Sequence, residues 1–293
     1  MTFAFIAQDC PDLPVATCCR VMKVSTSGFY AWLAHPVSER DLVDAYLTNT
    51  IVDLHRASRG SYGSPRVHAE LRLGEGIRCG RKRVERLMRQ AGVQGIYRRR
   101  RRGCTRRDPQ AEPAEDLVNR AFDPVEPDRL WMMDVTEHPT GDGKLYLAVV
   151  LEAFSRMVVG WAIGDHMRAE LVVDALQMAI WRRQPPPGQT VAHADHGAQY
   201  TSWTFGRRLR TAGLLGSMGT IGDCFDNAAV ESFFGTLQLE LLDQHRWTDR
   251  QQLATAIFEW VECWYNPRRR HSYCGMLSPA AYEAAHTAAA NAA

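Results

Sequence analysis

The fold of this chain is decided by residues 129–166, RLWMMDVTEHPTGDGKLYLAVVLEAFSRMVVGWAIGDH. Three runs rich in apolar and β-branched residues follow one another here, separated by the turn sequences TGDG and SR. Short runs of this kind, bounded by turn residues, are typical of antiparallel strands. The stretch therefore predicts three successive antiparallel strands.

The residues that follow alternate between helical and strand-like patterns. AELVVDALQMAIWRRQ has the helical period, TVAHAD resembles a strand, TSWTFGRRLRTAG is a helix that Thr201 or Ser202 caps and Gly213 ends, and LLGSM is a short strand. Another helix follows. Three strands and then helix, strand, helix, strand and helix predict an α/β domain with a mixed central sheet.

Three carboxylate residues lie in or next to the predicted strands and at the start of a predicted helix. Asp134 is inside the first strand, Asp195 ends the fourth, and Glu231 lies in the first turns of a helix that Asp226 or Asn227 caps. Sites form at the carboxyl ends of strands in open α/β sheets. A lone Glu at a helix start favours simple compensation of the helix dipole. Three converging carboxylates would repel one another without a cation, and Mg²⁺ prefers such oxygen ligands.

The histidines next to Asp195 suggest two other kinds of site, a zinc site and a hydrolase active site. Zinc is disfavoured because His193 and His196 lack a helical i, i+4 partner and the eight cysteines include no CxxC pair. A Ser-His-Asp hydrolase is disfavoured because no GxSxG elbow is present. We expect His193 to pack beneath the site and Gly197 to provide the turn.

Charge is distributed very unevenly along the chain. The net charge is +2, yet residues 59–107 contain 16 Lys and Arg against 3 Glu. This asymmetry favours a nucleic-acid-binding region joined to an acidic metal site over a small-molecule enzyme. The sequence has neither a long apolar span nor a typical secretion signal, so we expect a cytoplasmic protein without membrane contact.

Helical patterns dominate the basic first hundred residues. The helices around VSTSG, residues 24–28, form a helix-turn-helix-like unit or an ordinary helical hairpin. In the helix that begins at Arg81, apolar residues occupy one face and cations surround the other. The apolar residues are Val84, Leu87 and Met88. The cations are Arg81, Lys82, Arg83, Arg86 and Arg89.

The chain resembles a known family. Asp134 to Glu231 is similar to the catalytic core of DDE transposases of the bacterial insertion-sequence-three family, which have a retroviral-integrase-like, RNase H-like fold. Between Asp195 and Glu231 lie 35 residues, the spacing of the D,D(35)E pattern. The likeness extends over nearly the whole chain. It is carried by VSTSGFYAW, SRGSYGSPRVHAEL, RKRVERLMRQAGVQG, DVTEHPT, KLYLAVVLEAFSRMVVGW, HADHGAQYTS, DNAAVESFFGTL and YNPRRRHSYCGMLSPAAYE.

The resemblance implies a transposase catalytic subunit. Asp134, Asp195 and Glu231 would be the catalytic ligands of two Mg²⁺ or Mn²⁺ ions, with water or a 3′-hydroxyl as nucleophile in DNA cleavage and strand transfer. The implied partners are double-stranded DNA at element ends and target, an upstream-frame product or a fusion with it, and further copies of the chain on nucleoid DNA. The expected DNA contacts are Arg81, Lys82, Arg83, Arg86, Arg98, Arg99, Arg100, Arg101, Arg102, Arg268, Arg269 and Arg270, with His271 beside them.

The chain departs from the family pattern at several positions. Gln238 stands where a Lys or Arg is common, the loop GTIGD has Thr220 and Asp223 in place of an expected cation, and Glu152 replaces an Asp. These changes favour an alternative, a non-catalytic DNA-binding regulator of transposition derived from a truncated or decayed product. A nuclease acting on RNA:DNA hybrids is a third hypothesis.

The predicted organisation has four parts. Residues 1–96 form a helical, helix-turn-helix-like DNA-binding region, and residues 97–123, with their dense arginine block, form a basic linker. Residues 124–286 form the RNase H-like integrase core with a helical C-terminal segment. Residues 287–293 are expected to be a disordered tail.

Overall fold

The computed structural model describes residues 2–34, 37–97, 124–194, 200, 202–218 and 228–292. The chain divides into two compact units, Met1–Gly95 and Ile96–Ala293. In the described residues, no helix is long and apolar enough to cross a membrane.

The first unit is helical. Its elements are α1 (Thr2–Asp9), α2 (Val15–Val21), α3 (Thr26–Ala34), α4 (Glu39–Ala57), α5 (Ser64–Leu73) and α6 (Arg81–Gln90). Ser25 Oγ accepts a hydrogen bond from Gly28 N at 3.0 Å and so caps α3. A small core of Ile6, Cys18, Cys19 and Phe29 joins the first three helices.

Helices α4, α5 and α6 pack on one another. Their fully buried side chains include Ile51 of α4, Val67 and Leu71 of α5, and Val84 of α6. Leu87 and Met88 are buried with them, which confirms the predicted apolar face of α6. Pro65 lies in the first turn of α5, where its missing N–H costs no hydrogen bond.

The second unit contains a five-stranded sheet. Its strands are β1 (Leu130–Thr140), β2 (Gly143–Glu152), β3 (Val158–Gly164), β4 (Val191–Ala194) and β5 (Leu215–Met218), in the order β3-β2-β1-β4-β5. The first three strands pair antiparallel, whereas β4 pairs parallel to β1 and to β5. The predicted mixed sheet and its three antiparallel strands are confirmed.

Helices cover both faces of this sheet. They are α7 (Ala169–Arg183), α8 (Trp203–Thr211), α9 (Ala228–Glu240), α10 (Arg250–Phe258) and α11 (Pro279–Ala292). One face packs on α7 and α8, through strand residues such as Trp131 and Met133. On the other face, α9 contacts β1 and α10 contacts β2. A Cβ added to Gly160 of β3 would lie 2.2 Å from the carbonyl oxygen of Ala175, so α7 approaches the sheet at a distance that only glycine permits.

The C-terminal segment differs from the prediction. A π-helical stretch, Glu259–Tyr265, continues α10, and α11 extends through Ala292. The disordered tail expected from residue 287 is therefore wrong for residues 287–292. The run TAAANA has high intrinsic helix propensity, and it extends a helix that already begins at Pro279.

Candidate active site

Asp134 lies where β1 leaves the core. The four residues before it, from Leu130 to Met133, are buried, whereas Asp134 is partly exposed. One of its carboxylate oxygens, Oδ1, accepts a hydrogen bond from the backbone N of Val135 at 2.7 Å. The carboxylate therefore sits at the boundary between the sheet interior and solvent.

Strand alternation decides the side of the sheet to which Asp134 belongs. Met133 and Val135 pack in the α7 and α8 layer, so Asp134 between them belongs to the opposite face. Thr136 and His138, further along that face, line a small cavity together with Leu237 of α9 and Ile257 of α10. Asp134 thus lies on the side of the sheet that α9 covers.

Glu231 lies in the first turn of α9 and is exposed. A buried stripe of Val230, Phe233, Leu237 and Leu241 fixes the helix, while Phe234 is only partly buried. Asp226 and Asn227, the predicted N-caps, lie outside the described residues. Helix α9 therefore brings Glu231 to the same side of the sheet as Asp134.

Asp195 lies outside the described residues. The parallel pairing of β1 and β4 ends at Met133 with Ala194. The next residues in the sequence are Asp134 and Asp195. Among the described residues, no group of three or more His, Cys, Asp or Glu could hold a metal ion, and the set predicted from the sequence includes Asp195.

His193 is an interior residue of β4. Its side chain is buried, and Nδ1 lies 3.1 Å from Ser217 Oγ on the neighbouring strand β5. It pairs in register with Met132, two residues before Asp134. The prediction that His193 is a packed strand residue is confirmed, and its place beneath the site stays a prediction.

Arg269 has a role that the sequence did not reveal. Its guanidinium forms a bidentate ion pair with Glu240 of α9, at 2.8–3.1 Å, and the two side chains are only 4% and 7% exposed. The prediction that Arg269 contacts DNA is therefore wrong in this conformation, because the buried carboxylate already occupies its donors. The arginine run of residues 268–270 gave no signal that its middle member turns inward.

Aromatic rings support α9 at the same place. The ring of Phe233 lies 5.8 Å from that of Trp260 and 5.0 Å from that of Tyr265, in edge-to-face geometry. Tyr265 also packs against His271, which lies 3.5 Å from Arg269. Burial raises the pKa of the Tyr265 phenol well above its usual range. This cluster fixes the helix that bears Glu231.

Glu152 is a structural residue at the far end of β2. It pairs in register with Trp131, three residues before Asp134. Its carboxylate is fully buried and accepts hydrogen bonds from the backbone N–H groups of Phe154 and Ser155 and from the Ser155 hydroxyl. Burial raises its pKa, and these hydrogen bonds oppose the rise. Glu152, which replaces an Asp of the family pattern, therefore stabilises the end of β2.

The cations of α6 divide into two groups. Arg83 and Arg86 both bind Asp44 of α4, with hydrogen bonds of 2.6 and 2.7 Å, and these bonds hold the pKa of that carboxyl below its usual range. Arg81 and Lys82 are exposed, and neither makes an ion pair within the described part of the chain. Arg268 is exposed and Arg270 donates to the carbonyl oxygen of Met276. Arg98 to Arg102 lie outside the described residues.

Comparison with known proteins gives this architecture a family. Models described as integrase core domain match residues 124–224 and 213–279, and one described as HTH-like domain matches residues 42–101. The chain is 35% identical to transposase InsF for insertion sequence IS3A of Escherichia coli strain K12, over 97% of this chain and 98% of that protein. The chain belongs to the IS3 family of transposases.

Two other matches cover smaller shares of this IS3-family transposase. It is 37% identical to the insertion element IS600 uncharacterized 31 kDa protein of Shigella sonnei, over 90% of this chain and 96% of that protein. A solved structure of the simian T-cell lymphotropic virus intasome, in complex with PP2A regulatory subunit B56 gamma, aligns at 15% identity. Its TM-score is 0.45, and the alignment covers 78% of this chain and 72% of that one.

The HTH-like match covers the last three helices of the first unit. Residues 42–101 begin within α4 and include α5 and α6. The sequence pattern around VSTSG predicts a helix-turn-helix-like unit or an ordinary helical hairpin earlier in the chain. The structure has helices α2 and α3 there, a pair of short helices that both alternatives predict.

Proposed function

We propose that this IS3-family transposase cleaves DNA at element ends and transfers a 3′-hydroxyl strand to target DNA, with Asp134, Asp195 and Glu231 as its catalytic residues. One observation carries the proposal. Asp134 of β1 and Glu231 of α9 belong to the same side of the central sheet, and α9 packs against β1. The ladder that ends at Met133 and Ala194 is followed in sequence by Asp134 and Asp195, which supports their joint role.

The donor set fits divalent magnesium or manganese. All three side chains are carboxylates, the hard oxygen ligands that Mg²⁺ prefers, and Glu231 forms no ion pair within the described residues. We propose that the three residues hold two such ions. When bound, two divalent ions activate an attacking oxygen and stabilise the leaving oxygen of a phosphodiester. The protein contributes by holding its ligands on a buried strand and on a helix fixed by the Phe233 cluster.

We further propose how the chain is organised around this site. Residues 1–96 bind DNA through exposed cations such as Arg81 and Lys82, residues 97–123 contact phosphates through Arg98 to Arg102, and residues 124–286 form the catalytic core. Arg268 supplies a further phosphate contact. An upstream-frame product or a fusion with it, and self-association on DNA, complete the proposed assembly.

The proposal is tested by a strand-transfer assay on DNA carrying the element ends, with and without the upstream product. Asp134→Asn, Asp195→Asn and Glu231→Gln should each lower joining by more than about 100-fold, since loss of a ligand costs more than loss of its supporting partners. Glu137→Gln is the matched control. Glu137 lies on the same strand and is exposed, and it pairs with Lys144 rather than with the candidate site.

Two results would overturn the proposal. Any triad variant that joins DNA ends at the rate of Glu137→Gln is not missing a catalytic ligand. Salt-sensitive DNA binding by the wild type, without joining in either the presence or the absence of the upstream product, would identify a regulator.

A further inference from the structure

Helix α8 has one face that the fold does not use. Phe205 and Leu209 are buried in the core that α7 and α8 form with one face of the sheet. The opposite face carries Trp203, Gly206, Arg207 and Arg210, at the spacing i, i+3, i+4 and i+7 that forms one continuous stripe. These four residues are called the α8 stripe below.

The α8 stripe is aromatic, cationic and exposed. Trp203 is 69% exposed, and the guanidinium carbon of Arg207 lies 5.2 Å from the centre of its ring. Arg207 and Arg210 are exposed, and in the part of the chain that the structure describes neither makes an ion pair. The helix itself contains no acidic residue. The stripe therefore presents two cations that no described acidic side chain neutralises.

Gly206 leaves the middle of the α8 stripe without a side chain. A Cβ built there would lie 3.5 Å from Nη1 of Arg210, so the Arg210 side chain passes over the position where a larger residue would protrude. Indole and guanidinium groups then share one shallow surface. A flat ring beside cations is the composition of surfaces that bind nucleic-acid strands, in which bases stack on the ring and phosphates meet the cations.

The topology puts the tryptophan end of the stripe at the same edge of the sheet as Asp134, although α8 packs on the face opposite to Asp134 and α9. Strands β4 and β5 are parallel, and α8 connects them, so the helix runs back along the sheet. Its first residue, Trp203, is therefore at the carboxyl edge of β4, the edge at which the β1–β4 ladder reaches Asp134. Arg207 and Arg210 lie progressively further from that edge.

We propose that the α8 stripe holds a DNA strand on its way into the active site. Arg207 and Arg210 bind backbone phosphates, and Trp203 stacks on an unpaired base near the strand end. This inference rests on the proposed function, since it assigns a path to the DNA on which the same core acts. DNA is favoured over a protein partner because, within the described residues, two cations without an acidic partner flank a single exposed ring, and phosphates supply the anions that these cations lack.

The test measures DNA binding without chemistry. Fluorescence anisotropy in EDTA compares a blunt duplex with a duplex that carries an unpaired 3′ extension. Trp203→Ala should weaken binding of the extended duplex about tenfold and leave the blunt duplex nearly unchanged. Arg207→Ala should weaken both DNAs and reduce the slope of log K against log salt by about 0.9, the value of one lost phosphate contact on B-DNA.

Matched controls lie elsewhere on the same unit. Trp181 is 73% exposed on α7, and Arg246 is exposed beyond α9. Trp181→Ala and Arg246→Ala should leave both affinities and the salt slope unchanged. All four substitutions are at exposed positions, so a common thermal unfolding midpoint would show that each variant is folded.

Each other outcome has a definite meaning. If Trp203→Ala binds the extended duplex as tightly as Trp181→Ala does, the stacking proposal is wrong. If the α8 variants change the sedimentation coefficient of the protein but not its DNA affinity, the stripe contacts a second copy and the proposal is also overturned. Because the assay needs no metal or catalysis, failure of the triad variants to lose activity would refute the proposed function and leave this result intact.

Discussion

The two units of the molecule use arginine in different ways. In the helical unit, Arg83 and Arg86 reach across to Asp44 at the surface, and Arg81 and Lys82 in the same helix remain exposed. In the core unit, Arg269 is buried with Glu240, while Arg268 beside it is exposed. A run of cations in the sequence is therefore not a uniform DNA-binding surface, because the fold assigns some of its members to internal partners.

Solvent exposure separates the two kinds of pair. The side chains of Arg83 and Arg86 are 34% and 39% exposed, whereas that of Arg269 is 4% exposed. Water and salt reach the two guanidinium groups of the first pair and screen it more than the second, although the Asp44 side chain is itself only 13% exposed. Removal of one partner from the second pair leaves a desolvated charge in the interior. The difference predicts that the surface pair is adaptable and that the buried pair is structural.

The largest expected effect is on the buried pair. Arg269→Met should lower the free energy of unfolding of the core unit by about 3 to 5 kcal/mol, because Glu240 would remain buried without its counter-ion. Urea denaturation of the full chain, followed by tryptophan fluorescence, measures the change. Arg268→Met, at the exposed neighbouring position, should change stability by less than about 0.5 kcal/mol. Equal effects of the two substitutions would remove the distinction between the regions.

A smaller and opposite effect is expected at the surface pair. Asp44→Asn removes the carboxylate that holds Arg83 and Arg86, so both arginines become available to phosphates. Non-specific binding to duplex DNA should tighten at low salt, and the slope of log K against log salt should steepen by up to about 1.8, or two contacts. An unchanged slope would mean that the freed arginines do not reach DNA.

Removal of Arg81 or Lys82 should have the opposite effect on the salt dependence of DNA binding. Each side chain is exposed, so Arg81→Ala or Lys82→Ala should flatten the same salt slope by about 0.9 while leaving thermal stability within experimental error. Leu73→Ala on α5 is the control, since Leu73 is 42% exposed and carries no charge. If the alanine variants lower the unfolding midpoint but not the salt slope, these cations serve the fold.

The smallest expected effect is on pH dependence. Hydrogen bonds from Arg86 and Arg83 lower the pKa of Asp44 in the folded state, so the pair stabilises the helical unit above the unfolded-state value, about 3.9. That contribution is lost as the pH falls through the lowered folded-state pKa. The difference in unfolding midpoint between the wild type and Asp44→Asn should therefore be constant from neutral pH to about pH 4 and shrink below it. A difference that grows on acidification would contradict this assignment.

Much of the fold was predictable because local patterns and tertiary contacts agree. The apolar stripe of Val84, Leu87 and Met88 predicted the buried face of α6, and the turns TGDG and SR separated strands that are indeed antiparallel. The prediction of a disordered tail was wrong, because the intrinsic helix propensity of alanine extends α11 through these residues without burial of their side chains. The π-helical stretch that continues α10 went unpredicted, because hydrophobic periodicity does not distinguish a π-helical turn from an α-helical one.

The candidate site, too, could be predicted from the sequence only in part. The residue types and the spacing of Asp134, Asp195 and Glu231 predicted the triad, which stays a prediction for all three residues. The side of the sheet that Asp134 shares with α9 required the structure, because strand alternation leaves two faces and only packed helices distinguish them. The position of the α8 stripe was likewise invisible until β4 and β5 were known to be parallel.

By itself, the sequence determined the order of helices and strands, the family, and which residue types are available for metal and DNA. These depend on local periodicity and on chemistry that each residue carries wherever it lies. Only the tertiary structure decided which arginines are free to meet DNA. A guanidinium binds whichever carboxylate the fold brings to it, and Asp44 and Glu240 reach their partners from positions 29 to 42 residues away along the chain.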